Sequence, residues 1–305
     1  MLIKFKYLLT LLVFASVFNI SAQSINLKES HKTEIKKNKK KKRKKKKKKV
    51  KLPNIDLTHW KVTTPAGDSK KPLEVSPPEI FNYATNEKLK PYMYNDSTRG
   101  AIVFHAFPSK ATTANTKYSR SELREQMVSG ENNVNWTFKQ GGILKGKLAI
   151  DDVTKDKDGK HHRIIIMQIH GRLTNEQRDL IGAKDNNAPP MLKIYWDKGK
   201  IRVKTKVLKN INASNEELLH EEAWANDKGF NFKQEVGFKK FTLEVQVSDG
   251  KMVIILNNNE YKVYESIHIK KWGIFENYFK AGNYFQTRDE GAYAKVRYYE
   301  LEVKH

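Results

Sequence analysis

Three short stretches of this chain place polar and ionisable side chains at strand spacing among Val, Ile, Phe and Tyr. In Arg120-Ser121-Glu122-Leu123-Arg124-Glu125-Gln126, a period of two puts Arg120, Glu122, Arg124 and Gln126 on one side. Two guanidinium groups interleaved with a carboxylate can hold one another in fixed rotamers and still offer forked donors to an anion. The same pattern also suits an exposed ladder of ion pairs, which contributes little to stability. The second stretch, Arg163 to Gly171, is an apolar run that ends in Gln168 and His170, both on the side opposite Ile169. Such a run reads as a buried, rigid strand, and two polar groups leaving its end together are well placed for a site. In the third, Tyr278 to Gln286, the residues Lys280, Gly282, Tyr284 and Gln286 share a face, and the glycine leaves room for a ligand to approach the backbone.

A lone histidine or tyrosine in a β-protein is usually packing. Together the three stretches hold what β-elimination on a uronate requires. Arg120 and Gln168 can neutralise the carboxylate, which makes the adjacent C5 proton acidic. His170 and Tyr284 have the chemistry of a base and an acid, the tyrosine on the expectation that Arg120 and Lys280 depress its phenol. No metal and no cofactor is called for, since the histidines show no HExxH or comparable ligand spacing. A glycoside hydrolase would need paired carboxylates flanking the bond, and an E-x-D-x-x-E strand motif is absent.

Strands must position these groups. Short Val/Ile/Phe/Tyr/Thr-rich runs recur at 100–107, 118–128, 142–150, 163–170, 192–196, 201–207, 241–247, 252–256, 261–264, 278–286 and 294–303, separated by Gly/Asn/Asp clusters. Asp197-Lys198-Gly199-Lys200 and Ser248-Asp249-Gly250-Lys251 read as hairpin joints. Helix is expected only around 78–83 and 214–223, and 174–190 and 210–232 read as long segments consisting mostly of loop. Many strands without βαβ alternation predict an all-β fold, a jelly-roll sandwich of two antiparallel sheets.

The 305 residues carry a net charge of +24, which misleads unless divided. Residues 36–51 hold fourteen positive charges and no acid, and residues 52–305 retain only +8. A like-charge run of this kind cannot bury apolar surface, so 23–51 is expected to be a disordered Lys-rich linker. It reads as a solvated spacer, or as an electrostatic tether to a polyanion. Met1 to Ala22 has Lys4 and Lys6, then an apolar run, then small residues, the pattern of a signal peptide, with a retained anchor as the alternative. Once it is removed, no membrane span is expected, and the location is secreted, periplasmic or cell-surface. There is no cysteine, so the core alone must hold the fold. Export and the lack of an RNA-binding or helix-turn-helix pattern argue against nucleic acid.

The blocks RSELREQ (120–126), QIH (168–170) and YFKAGNYFQ (278–286), in this order, resemble the signature blocks of the polysaccharide lyase family 7 alginate lyases. DLTHWKVTTP (56–65), PMLKIYWDKGKIRVKTK (190–206) and KVRYYELEVKH (295–305) extend the resemblance over nearly all of 52–305, the expected catalytic domain. It implies a β-jelly roll with a concave substrate groove and an acidic polysaccharide, alginate, as partner, cleaved to unsaturated oligosaccharides by a chain expected to be a monomer. Arg120 and Gln168 match the carboxylate-neutralising pair, His170 the neutraliser or base, and Tyr284 the acid, which also serves as base in syn-elimination. Glu122, Arg124, Lys280 and Gln286 match groove-lining positions and are expected to bind substrate. The isoleucine of QIH is associated with accepting guluronate. The competing readings are a lyase for another polyuronate such as glucuronan and a non-catalytic jelly roll that merely holds acidic glycan.

Overall fold

Alternation of apolar and polar residues builds most of this molecule. The computed structural model describes residues 52–113 and 116–305; the signal peptide and linker expected at 1–51 lie outside the described residues. All strand pairs are antiparallel and form two sheets. In the smaller sheet the order is β15 (Glu260–Tyr264), β14 (Lys251–Leu256), β13 (Phe241–Ser248), β7 (Gly142–Val153), β17 (Ala294–Lys304), β4 (Ala101–Ala106) and β3 (Met93–Asp96). Its strands read one face in and one face out: Phe241, Leu243, Val245 and Val247 of β13 are buried, and the residues between them are half-buried.

The larger sheet runs β11 (Trp224–Asn226), β10 (Lys200–Leu208), β9 (Asn187–Asp197), β8 (Ile164–Arg172), β16 (Glu276–Phe285), β5 (Arg120–Glu125), β1 (Trp60–Asp68) and β2 (Lys71–Val75). Two short strands join its margins, β12 (Phe230–Glu235) on β10 and β6 (Trp136–Thr137) on β16. The three strands that carry the motifs, β5, β16 and β8, are therefore direct neighbours at its centre. Every residue of β5 is buried, ionic ones included, and so are Ile164 to Ile169 of β8. Both faces of these strands are covered, one by the other sheet and one by the walls of a cleft.

The core between the sheets is one apolar cluster in which Leu123, Phe279 and Phe285 join Phe104, Leu144 and Leu148. Polar groups cross it and bond from one sheet to the other, although the buried Oδ1 of Asn283 finds no partner among the described residues. The Tyr298 hydroxyl of β17 donates to the Ile166 carbonyl at 2.5 Å and accepts from the Gly282 amide at 3.2 Å. Asn283 donates to the Phe104 and Ala294 carbonyls at 3.0 and 2.8 Å. These bonds secure an irregularity where β16 carries one residue more than β8 between Ala281 and Tyr284. Gly282 sits there at φ +140°, and a Cβ at this point would meet the Ser121 carbonyl oxygen at 2.7 Å. Facing the core beside Arg124, Glu125 accepts from Trp136 Nε1 and the Phe279 amide at 2.9 and 2.8 Å and lies 2.6 Å from the ring of the terminal His305.

The expected sandwich is what forms, and both hairpin joints are two-residue turns, with Asp197 paired to Lys200 and Ser248 to Lys251. Helix is shorter and elsewhere than expected. Residues 78–83 hold only a 3-10 turn, Glu79–Asn82, and 214–223 splits into α2 (Asn215–Leu219) and a turn at Glu221–Ala223. The long loop expected at 174–190 contains α1 (Asn175–Leu180) and the start of β9. Its signal was present, since Thr174 and Gln177 form a reciprocal capping box. The loop expected at 210–232 contains β11 and the start of β12, and α3 (Ile267–Trp272) was not anticipated. Among the described residues no helix is long and apolar enough to cross a membrane.

Candidate active site

Strand register turns the three motifs into adjoining rows. Across β5 and β16, Arg124 stands opposite Lys280, Glu122 opposite Gly282, and Arg120 opposite Tyr284. Across β16 and β8, Lys280 stands opposite Gln168, and Tyr278 opposite His170. One row continues through five strands as Lys61, Arg124, Lys280, Gln168 and Lys193. All five of these side chains line a cleft of about 760 Å³, together with Arg120, His170, Tyr278 and Tyr284. Thus Arg120, Arg124, Gln168, His170, Lys280 and Tyr284 of the expected site residues are brought to one cavity.

Glu122 and Gln286 are not. Glu122 is wholly buried beneath the cleft and is the hub of the site. Its carboxylate accepts from Gln168 Nε2 at 2.6 Å, pairs with Lys280 Nζ at 2.6 Å, and receives a longer contact from Arg120 Nη1 at 3.4 Å. It orients three groups from three strands and has no surface left to offer a substrate. Each of its oxygens is met by a donor, which offsets the cost of burying it. Gln286 lies just past the end of β16, where its amide donates to the Tyr284 carbonyl at 3.2 Å. Gln126 likewise lies past β5 and binds the following loop, at Asn132 and Gly130. Both residues follow the two-residue period in sequence; the strands end before it reaches them.

The protonation states are set by burial first. The His170 imidazole is pushed down to about 3, by burial and then by the nearby charges of Lys280 and Arg120. It is therefore neutral near pH 7. Its Nδ1 lies 3.0 Å from the Gly171 carbonyl, so Nδ1 carries the proton and Nε2 keeps a free lone pair. The ring stacks on Tyr278 at 5.2 Å, and Arg124 lies over the other ring at 4.0 Å. Burial also lowers Lys280, to about 8.

For Tyr284 the direction reverses the sequence-based expectation. Burial raises its phenol above the ordinary tyrosine value, and Arg120, whose guanidinium carbon lies 4.3 Å from the ring centre, offsets only part of this. Lys280, expected to help, is not among the leading influences on it. Desolvation outweighs a cation whose own charge is shared with Glu122. Tyr284 thus enters any reaction as a protonated phenol.

The rest of the lining was missed from sequence. Thr63 and Glu74 come from β1 and β2, Thr113 and Thr116 from the segment before β5, and Asp185, Asn187, Pro189, Pro190 and Glu221 from the two stretches read mostly as loop. Lys193 carried a usable signal, a lone cation inside the apolar run Met191 to Trp196. Arg124 is committed elsewhere, donating to the Glu125 and Asn132 carbonyls at 2.5 and 2.8 Å and to Asn135 at 2.9 Å. It ties down the 126–135 loop and shields His170 through Tyr278. Among the described residues, no three His, Cys, Asp or Glu gather as a metal ion would require.

A sequence profile of the alginate lyases matches residues 55–305. The chain belongs to the alginate lyase family. The fold agrees. Alginate lyase A1-II', a member of polysaccharide lyase family-7, superposes with a TM-score of 0.64 at 28% identity, over 83% of this chain and 96% of that one. The same enzyme in complex with substrate (GGMG) gives a TM-score of 0.63 at 28% identity, over 83% and 94%. Alginate lyase PA1167 from Pseudomonas aeruginosa shares the fold, with a TM-score of 0.61 at 21% identity over 82% and 99%. A comparison with curated proteins found no match. This alginate lyase is a jelly-roll polysaccharide lyase of family 7, as the three blocks implied.

Proposed function

We propose that this lyase cleaves guluronate-containing alginate by β-elimination, with Arg120, Gln168, His170 and Tyr284 as its catalytic residues. The observation that carries the reading is a pair of complementary protonation states in one cleft: a neutral imidazole with a bare Nε2, and a phenol that keeps its proton. Arg120 and Gln168, both steadied by Glu122, supply donors to the uronate carboxylate. Holding that carboxylate in a cation's field stabilises the carbanion-like charge that develops when C5 loses its proton. Nε2 of His170 takes the C5 proton. The electron pair forms the C4–C5 double bond, the C4–O glycosidic bond breaks, and the departing oxygen takes the proton of Tyr284. Each product end is accounted for: one chain gains an unsaturated, non-reducing uronate, the other a free hydroxyl.

Support for guluronate comes from the isoleucine of the QIH block and from the relative captured with GGMG, which contains guluronate. Ile169 itself is buried in the core and touches substrate nowhere, so any preference it marks acts through the setting of β8. Arg124 and Lys280 serve binding as cleft-lining cations, and Glu122 acts from beneath them. Residues 52–305 form the catalytic domain. The leader pattern of Met1 to Ala22 supports export, and the charge of 36–51 supports a tether to anionic glycan.

The test is direct. The purified protein is mixed in turn with polyguluronate, polymannuronate and glucuronan, and the ultraviolet absorbance of the unsaturated ends is followed. The fastest rise is expected on polyguluronate. A rise confined to glucuronan would move the substrate to another polyuronate, and no rise on any of the three would defeat the lyase reading.

A further inference from the structure

The five cations that line the cleft are not equivalent. Lys61 pairs with Glu74 at 2.6 Å, and Lys280 with Glu122 at 2.6 Å. Arg120 contacts Glu122 and Thr113, and Arg124 holds two carbonyls and Asn135. Lys193 has no hydrogen bond or ion pair from its ammonium to any described residue, although it is half-buried and lines the same cleft. Its place is set by register. It stands opposite Gln168 on β9, the next strand outward from the catalytic row, and opposite Lys204 on its other side.

We propose that Lys193 is a substrate-positioning residue that binds the carboxylate of a uronate neighbouring the one that undergoes elimination. This rests on the polyuronate-lyase reading above. A half-buried ammonium with no hydrogen bond or ion pair among the described residues is costly to keep. The cost shows in its titration: burial, followed by repulsion from Lys206, holds Lys193 down to about 8, and the charge of Glu221 offsets only part of this. Lys204 adds to the repulsion. A carboxylate arriving in the cleft would give the ammonium the partner that the protein withholds. A polyuronate carries one carboxylate per sugar, so a chain whose reacting carboxylate sits at Arg120 and Gln168 must place another near the adjoining strand. Adjacent strands are about 4.8 Å apart. That spacing is of the order of one sugar step, and β9 is the adjoining strand that presents an unpaired cation. Lys193 touches neither C5 nor the leaving oxygen in this arrangement, so its contribution is to affinity and register rather than to the chemical step.

The experiment separates those effects. Lys193→Met and Lys193→Arg are compared with wild type on polyguluronate for kcat and KM, and for binding of the same polymer in the Tyr284→Phe background, where turnover is removed. Lys193→Met should raise KM and the dissociation constant by about tenfold, the value of one charge-assisted hydrogen bond, with kcat within about twofold. Lys193→Arg should recover most of the affinity, which a merely structural lysine would not predict. Unchanged KM and dissociation constant in Lys193→Met would overturn the assignment, as would a fall in kcat that arginine does not rescue. If wild type forms no unsaturated ends on any polyuronate, the lyase reading fails. The binding comparison of wild type with Lys193→Met still decides whether Lys193 holds a uronate chain.

Discussion

On the outer face of the smaller sheet, Lys145 meets Glu244 at 2.8 Å and Lys147 meets Glu300 at 3.2 Å, each directly across from its partner. Arg297 is shared between Asp96 and Asp151. On the outer face of the larger sheet, one carboxylate, Glu122, serves Arg120, Lys280 and Gln168 and is wholly buried. Both faces are built by the same alternation along antiparallel strands. They differ in balance and in water. Where a cation such as Lys145 or Lys147 meets an acid near solvent, the result is an ordinary surface. Where cations outnumber acids under the walls of a cleft, the excess positive field is left for a ligand, and burial moves His170 and Lys280 down and Tyr284 up.

The comparison can be broken at its most sensitive point first. Tyr284→Phe removes the proposed proton donor and leaves the ring over which Arg120 lies, so turnover should fall by about a thousandfold or more. Substrate affinity should hold within about twofold. Initial rates and calorimetric binding test both, and turnover near wild type would remove Tyr284 from its role.

Glu122→Gln should be next in size. It leaves Arg120 and Lys280 buried without a counter-charge, and breaking a buried pair costs about 3–5 kcal/mol. Urea unfolding measures the loss, and activity should fall with it because Arg120 and Gln168 lose their common anchor. The matched change on the other face, Glu300→Gln, concerns a pair whose side chains are 42% and 67% exposed, and should cost no more than about 0.5 kcal/mol. Equal losses at the two positions would erase the distinction between the faces.

The pH profile separates them in a third way. An ordinary histidine would be about 3% neutral at pH 5, a loss of roughly thirtyfold in activity if its neutral form is needed. His170, lowered to about 3, stays neutral there, so kcat/KM should fall by less than about twofold between pH 7 and pH 5. On the alkaline side, Lys280 loses its charge as pH rises through about 8, and activity should decline from there. A steep loss between pH 7 and pH 5 would show that the imidazole is not desolvated as described.

Sequence reading recovered the sandwich, both hairpin turns and the six motif residues that meet in the cleft, because period-two patterns and Asp-Gly or Lys-Gly turns are local signals. It did not show that Glu122 is sealed beneath the cleft or that Gln286 lies past the end of β16. Alternation says which face a residue takes, not whether that face is covered at that row or whether the strand has already ended. It misjudged the phenol of Tyr284 for a related reason: nearby cations are visible in a sequence, and desolvation is not. The helix at Asn175–Leu180 was legible in its capping box and was passed over because so short a segment has no amphipathic period to read.

Residue types and their spacing alone determined the fold class and put an imidazole, a phenol, a guanidinium and an amide within three short motifs, whose likeness to the family's blocks implied the family. Tertiary structure decided the rest. Pairing β5, β16 and β8 side by side made a hub of Glu122, and placing Lys193 one strand further out left its ammonium without a hydrogen bond or ion pair among the described residues. Charge balance and water access depend on which strands become neighbours and what covers them. Those contacts join residues far apart in the chain, such as Glu122 with Gln168 and Lys280.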